Sequence, residues 1–174
     1  MGTQSMLRTL LIGAGFALLS AVPALAACTE IKSATIALAG CVDGEWVPGT
    51  GTGAQEFVYN TADQNFGLMV ITEKEVFTMA QFRDAIVANA VNGVGGDAAK
   101  VQIIGERIET ISGEPWSVVE YAVDYQGSPL TFQNYYLSKP DFGSVQVLGY
   151  SLTSAATAAA FKTGVFAGTV KLGG

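Results

Sequence analysis

The 174-residue chain is acidic, with 15 Asp and Glu against 9 Lys and Arg, and it contains no histidine. An acidic surface argues against a nucleic-acid partner, because phosphates need clustered Lys and Arg. The missing histidine excludes a Ser-His-Asp triad, a Cys-His pair and an HExxH zinc site. We predict no cofactor and no metal site, and any enzyme built from this chain would depend on carboxylates, Lys or Tyr.

Residues 1–26 are predicted to be a cleavable secretory signal. Arg8 precedes an apolar run from Leu10 to Val22, and residues 24–26 (Ala-Leu-Ala) form a small-x-small cleavage site after Pro23. The run is shorter than the roughly 20 residues that a membrane-spanning helix needs. We therefore expect a periplasmic or secreted mature chain that has no transmembrane span.

Residues 27–55 form a lead-in segment that contains both cysteines, Cys28 and Cys41, and a glycine- and threonine-rich linker at 49–53. Exported proteins meet oxidising conditions, so the two thiols are expected to form a disulfide. The alternative is a lipid anchor. Residues 25–27 followed by Cys28 resemble a lipobox, and lipidation of Cys28 would leave Cys41 without a partner.

Two strands are predicted next, at 56–59 and 66–72, and the nearly continuous apolar run of the second indicates a central strand buried on both faces. A helix is predicted to begin after Thr78, whose hydroxyl can form a capping box with Gln81, and to end at residues 92–93. The apolar stripe of this helix consists of Met79, Phe82, Ile86 and Ala90.

The second half of the chain is predicted to be a four-stranded meander followed by an alanine-rich helix and a short edge strand. Gly105 is expected to form a bulge in the first strand, because the apolar phase shifts there. Phe161 and Phe166 are expected to bury against the sheet. The meander strands are predicted at 100–111, 116–125, 130–137 and 143–152, the helix at about 154–162, and the edge strand at 170–172.

Short turns between these strands predict antiparallel pairing, and the two helices should pack on the sheet and hide its apolar side. The predicted fold class is therefore α+β, an antiparallel sheet flanked by two helices. We assign it to a single domain that spans residues 56–174.

Aromatic side chains are concentrated in the meander. Adjacent tyrosines in a strand point to opposite faces, so one of each such pair leaves the core face unless helices cover both sides. Two interpretations stay open, namely core packing and an exposed amphipathic binding surface. The residues that would form that surface are Trp116, Tyr121, Tyr135 and Tyr136.

The pattern of the meander resembles the Mog1/PsbP-like superfamily, and within it the DcrB-like exported bacterial proteins. The residues that carry the resemblance are 113–116 (Gly-Glu-Pro-Trp), 118–121 (Val-Val-Glu-Tyr), Gly127, 135–136 (Tyr-Tyr) and 145–147 (Val-Gln-Val). The resemblance covers residues 56–172. It implies an α/β/α sandwich without catalytic residues, and a non-enzymatic accessory or assembly role in binding other proteins or stabilising membrane complexes. The partner that we expect is an envelope protein or a small ligand.

The leading functional hypothesis is therefore an exported accessory or binding protein that holds its partner on a surface or groove of the sheet and helices. The second hypothesis is a small exported hydrolase, which would need two carboxyl groups within about 10 Å of each other in a pocket. A third is a lipid-anchored structural protein of the envelope, which depends on acylation of Cys28.

Overall fold

The structure is a computed structural model that describes residues 28–173, so the predicted signal at 1–26 lies outside the described part. Within residues 28–173, two helices and ten strands form the framework, with short 3-10 helices at Ala98–Lys100 and Thr153–Ala155. The strands are β1 (Thr29–Lys32), β2 (Leu38–Val42), β3 (Trp46–Pro48), β4 (Gln55–Thr61), β5 (Phe66–Glu73), β6 (Val101–Ile111), β7 (Glu114–Tyr125), β8 (Ser128–Lys139), β9 (Gly143–Leu152) and β10 (Lys171–Leu172). The helices are α1 (Met79–Gly93) and α2 (Ala156–Thr169).

Seven strands form an antiparallel sheet in the order β3-β4-β5-β9-β8-β7-β6. Tight turns join β6 to β7 and β7 to β8. Their central residues, Ser112-Gly113 and Gln126-Gly127, all have positive φ angles between 52° and 84°. Two consecutive positive φ values are typical of the type I′ turn, whose twist matches that of paired strands. The α+β class with an antiparallel sheet is thus confirmed.

Helix α1 begins as predicted, because Thr78 and Gln81 form a reciprocal capping box. Phe82 and Ile86 are buried in one apolar cluster with side chains of β7 and β8, and Met79 and Ala90 pack against that cluster. The predicted stripe therefore faces the sheet. The predicted bulge is also confirmed, since the register of β6 on β7 shifts between Ile103 and Gly105.

Helix α2 packs on the opposite face, against β9, β8 and β2. It continues to Thr169, beyond the predicted end near Lys162. The expectation that Phe161 and Phe166 are both buried is wrong, because Phe166 is 2% exposed and Phe161 is 73% exposed. Five helical residues rotate a side chain by about 140° to the far side of the helix, so the two rings cannot share one face.

The lead-in segment is part of the same packing unit as the seven-stranded sheet. Its strands β1 and β2 form a second sheet with β10, and Cys28 is joined to Cys41 across the start of the β1–β2 pair, with the two Cα atoms 5.5 Å apart. Ile31 and Leu38 lie in one core cluster with Trp116. The predicted boundary at residue 56 therefore marks no break in the core.

Glu56 fastens the lead-in segment to the main sheet. Its carboxylate accepts hydrogen bonds from the Ser33 hydroxyl at 2.6 Å, from the Ala34 amide at 2.5 Å and from the Thr72 hydroxyl at 2.5 Å. Burial by itself would raise the pKa of this carboxyl, but the hydrogen bonds outweigh it and the pKa is lowered from its ordinary value.

We therefore expect Glu56 to contribute stability that depends on pH. A carboxyl whose pKa is lower in the folded state stabilises fully above its unfolded pKa, and this contribution is lost as the pH falls through the folded value. Urea unfolding of the wild type and Glu56→Gln should differ at neutral pH and converge in acid. Glu75→Gln is the matched control, because Glu75 is exposed and its carboxylate accepts no hydrogen bond within residues 28–173. A constant difference between wild type and Glu56→Gln at every pH would contradict the expectation.

Candidate functional site: a groove between helix α1 and the open half of the sheet

The two helices cannot cover a seven-stranded sheet. A helix with its side chains is about 10 Å across, and neighbouring strands lie about 4.8 Å apart, so one helix lying along the strands covers about two of them. Helix α1 packs on β7 and β8. On the same face, β5 and β9 present Met69, Ile71 and Leu148 beside the helix. The result is an open groove of about 680 Å³, which we call the α1 groove.

This geometry corrects one expectation about β5. The strand is central, between β4 and β9, and Leu68 and Val70 on its α2 side are fully buried. On its other side, Met69 and Ile71 are only partly buried, because they line the α1 groove instead of packing under a helix.

A row of three stacked aromatic rings forms part of the groove floor. Tyr121, Phe132 and Tyr150 lie on the adjacent strands β7, β8 and β9 and are paired in register. The ring centroids are 5.2 Å apart between Tyr121 and Phe132 and 5.7 Å apart between Phe132 and Tyr150, with interplanar angles of 10° and 24°. Both faces of the Phe132 ring are therefore covered by neighbouring rings, and only the edge of the ring can contact a ligand.

Gly67 on β5 allows the aromatic row to continue. A Cβ atom built on Gly67 would lie 2.1 Å from Cζ of Tyr150, so the ring rests directly on the glycine backbone. The Tyr150 hydroxyl donates a 3.4 Å hydrogen bond to the side-chain oxygen of Asn60 on β4. The row thus extends from β7 to β4 across the groove floor.

The polar groups of the α1 groove are all uncharged. Its lining contains three carboxamides and three tyrosines, and none of the described residues that line it is Asp, Glu, Lys or Arg. Burial raises the pKa of Tyr121 above its ordinary value, which keeps this hydroxyl protonated. The carboxamides are Gln55, Asn89 and Gln146, and the tyrosines are Tyr121, Tyr125 and Tyr150.

Gln146 and Asn134 form a buried amide pair at the groove. Nε2 of Gln146 donates to Oδ1 of Asn134, and Asn134 is fully buried on β8. Within residues 28–173 the Asn134 Nδ2 group makes no hydrogen bond of normal geometry, although the Asn134 side chain lies close enough to the Tyr121 hydroxyl to offset part of the rise in its pKa. Since buried polar groups are normally paired, this amide pair has unused hydrogen-bonding capacity beside the groove.

The predicted aromatic binding surface is corrected by the burial of its four members. Trp116, Tyr121, Tyr135 and Tyr136 are 0%, 4%, 2% and 6% exposed. Tyr135 and Tyr136 do point to opposite faces, but a helix packs on each face, so both are buried in core clusters. Of the four, only Tyr121 lines the α1 groove.

The sequence contained one signal for the groove. Leu148 and Tyr150 alternate with Val145 and Val147 on β9, so this strand is apolar on both faces. The pattern shows that both faces are shielded from water, but it does not show whether a helix or a ligand provides the shielding. The sequence does not identify Phe132 and Gln146 as groove residues, because their place in the groove depends on strands that are distant in the sequence.

Three glutamates of β6 and β7 form ion pairs with arginines. Arg107 contacts Glu109 at 2.5 Å and Glu120 at 2.6 Å, and Arg83 contacts Glu106 at 2.6 Å. Glu120 lines a smaller cavity of about 260 Å³ on the α2 side, where no second acid is present among the described lining residues. The described part of the chain also brings together no group of three Cys, Asp or Glu side chains that could hold a metal ion.

None of the helices within residues 28–173 is long and apolar enough to cross a membrane. The sulfur of Cys28 is bonded to that of Cys41, and a sulfur in a disulfide is not available for a thioether to lipid.

No sequence-family profile and no curated protein sequence matches the chain. Solved structures do. Cyanobacterial PsbP from Synechocystis matches with a TM-score of 0.59 and 10% identity over 94% of this chain and 99% of that one. The Ran-binding protein Mog1p of Saccharomyces cerevisiae matches with a TM-score of 0.57 and 12% identity, over 84% and 95% of the two chains.

LpqN of Mycobacterium tuberculosis, a protein involved in cell envelope biogenesis, matches with a TM-score of 0.55 and 12% identity, over 83% of this chain and 90% of that one. At these identities the matches establish a common architecture, and three such matches agree on it. The chain therefore has the Mog1/PsbP-like fold, as the resemblance of residues 56–172 predicted.

Proposed function

We propose that this chain is an exported, non-catalytic binding protein of the bacterial envelope and that the α1 groove holds its ligand, an uncharged and largely apolar small molecule. The observation that carries the proposal is the groove itself, with a volume of about 680 Å³ and an apolar floor. Ligand sites for small molecules commonly enclose about 300–1,000 Å³ and combine an apolar lining with a few polar groups.

The side chains that line the α1 groove indicate that its ligand is uncharged. An anionic ligand buried in the groove would find no Lys or Arg, and a cationic one would find no Asp or Glu, among the described lining residues. Burying an unpaired charge costs several kcal/mol, whereas carboxamides and hydroxyls can satisfy neutral polar groups. The amide of Gln146 is the group best placed to bind a hydroxyl or an amide of the ligand.

Two further observations support an exported binding role. The Cys28–Cys41 pairing suits an oxidising compartment. LpqN, which shares the fold, is involved in cell envelope biogenesis, and Mog1p, which also shares it, binds another molecule, the protein Ran.

The test uses a pair of fluorescent probes that differ in charge. N-phenylnaphthylamine is neutral, and anilinonaphthalene sulfonate has the same aromatic body with an added anionic group. We expect the mature chain to bind the neutral probe at least about tenfold more tightly, which corresponds to about 1.4 kcal/mol. Fluorescence titration measures both affinities. Equal affinity for the two probes, or no binding of the neutral one, would count against the proposal.

A matched pair of α1 variants locates the binding. Ala90 is half-buried on the groove side of the helix and Ala88 is exposed on its outer side. Ala90→Trp is expected to fill the groove and weaken binding of the neutral probe about tenfold or more, while Ala88→Trp leaves it unchanged. If both variants bind like the wild type, the probe does not occupy this groove.

A further inference from the structure

The seven-stranded sheet has one long free edge. Of its two outermost strands, β3 has only three residues and ends in Pro48, whereas β6 runs from Val101 to Ile111. The outer side of β6 pairs with no strand in the described part of the chain. A long unpaired edge is a template for pairing with another strand, and proteins usually protect such edges.

The second half of β6 is regular and has a definite centre. Its pairing with β7 is irregular between Ile103 and Gly105, and the strand ends at the turn after Ile111. The uninterrupted stretch therefore runs from Gly105 to Ile111, and its middle residue is Ile108. This side chain is 72% exposed and is therefore available for contact with another molecule.

The charges on either side of Ile108 have opposite signs. Arg107 and Glu109 point to the same face of the sheet, contact each other at 2.5 Å and are each 38% exposed. In an antiparallel pair related by a twofold axis at Ile108, Arg107 of one copy lies opposite Glu109 of the other, and the reverse pair forms at the same time. Opposite charges placed directly across two strands stabilise the pair. The stretch is thus complementary to itself.

We propose that a second copy of this chain pairs with β6, antiparallel and centred on Ile108, so that two sheets join into one continuous sheet across a symmetric dimer. Ile108 packs against its twofold mate on one face. On the other face, Arg107 of each copy lies opposite Glu109 of the other and also keeps its 2.6 Å contact with Glu120 of its own copy. An isologous contact of this kind closes on itself and produces a dimer instead of a filament. The inference goes beyond the proposed ligand groove and does not depend on it.

Cysteine cross-linking tests the register. Directly opposed residues of an antiparallel pair have Cα atoms about 4.5–5.5 Å apart, within the range that a disulfide spans. Ile108→Cys is therefore expected to form a covalent dimer under mild oxidation, since the two native cysteines are already joined to each other. Ile104→Cys is the matched control, because Ile104 is also exposed, at 54%. Its two copies would lie about 27 Å apart in this register.

A charge exchange tests the pairing itself. Arg107→Glu is expected to convert the dimer to a monomer in sedimentation velocity runs, and the double variant Arg107→Glu/Glu109→Arg to restore the dimer. Circular dichroism shows whether each variant folds. The proposal is overturned if Ile108→Cys cross-links no faster than Ile104→Cys. It is also overturned if the folded wild type sediments as a monomer at concentrations up to about 0.1 mM, because a dimer with a Kd of that size would be held by only about 5 kcal/mol of binding free energy.

Discussion

Trp116→Ala is expected to lower the free energy of unfolding by about 3–5 kcal/mol, the usual cost of removing a large buried aromatic side chain. Trp116 on β7 is 0% exposed and belongs to the core cluster that also contains residues of α2 and of the lead-in segment. A loss of this size is a large fraction of the 5–15 kcal/mol that stabilises a typical domain. Equilibrium unfolding in urea, followed by circular dichroism, measures it.

The indole nitrogen provides a control for this prediction. Nε1 of Trp116 is buried without a hydrogen-bond partner in the described part of the chain, and an unpaired buried donor is unfavourable. Trp116→Phe keeps most of the apolar volume and removes that donor, so its loss of stability should be clearly smaller than that of Trp116→Ala. Equal losses for the two variants would show that volume is not the determining property at this site.

Ligand binding should be tested with variants outside the core on the α2 side. Trp116 and Tyr135 belong to the core on the α2 side, away from the α1 groove. Loss of binding in alanine variants of these two residues would report a loosened core. Ala90 and Ala88 on α1 are the better probes, because Ala90 is only partly buried and Ala88 is exposed.

Removal of the disulfide is the second prediction with a large expected effect. Cys28 and Cys41 are 13 residues apart in the sequence. In the loop-entropy description, closing a loop of that size raises the free energy of the unfolded chain by about 3 kcal/mol. Cys28→Ser/Cys41→Ser should therefore unfold at lower urea concentration than the wild type. The weakened element should be β1, which is held by β2 at one side only.

Reductant supplies the control. It is expected to shift the unfolding midpoint of the wild type towards that of the double serine variant and to leave the variant unchanged. A wild type that unfolds at the same urea concentration with and without reductant would contradict the prediction. Intact-mass spectrometry of the purified chain tests the alternative fate of Cys28 in the same preparation, since a lipid on this sulfur would add the mass of a diacylglyceryl group.

Local patterns in the sequence were sufficient for most of the secondary structure. The capping box of Thr78 and Gln81, the bulge at Gly105 and the glycine turns that end β6 and β7 each depend on a few neighbouring residues and on backbone conformations that those residues favour. For the same reason, the meander and the position of α1 could be predicted without any knowledge of the tertiary structure.

The candidate site could not be predicted in this way. An apolar alternation such as that of Leu148 and Tyr150 shows that a face is kept from water, but a helix, a ligand or another strand can each provide the cover. Only the tertiary structure decided that α1 covers β7 and β8 and leaves β5 and β9 open, because the width of one helix matches about two strands.

The lead-in segment and helix α2 show the same difference between what local sequence predicts and what tertiary packing decides. The sequence by itself predicted a disulfide between its two cysteines and placed an apolar stripe on the first helix. The tertiary structure decided that Ile31 and Leu38 complete the core around Trp116 and that Phe161 stays in water. Local conformation depends on adjacent residues, whereas burial depends on which distant surfaces meet, and that is settled only when the whole chain packs.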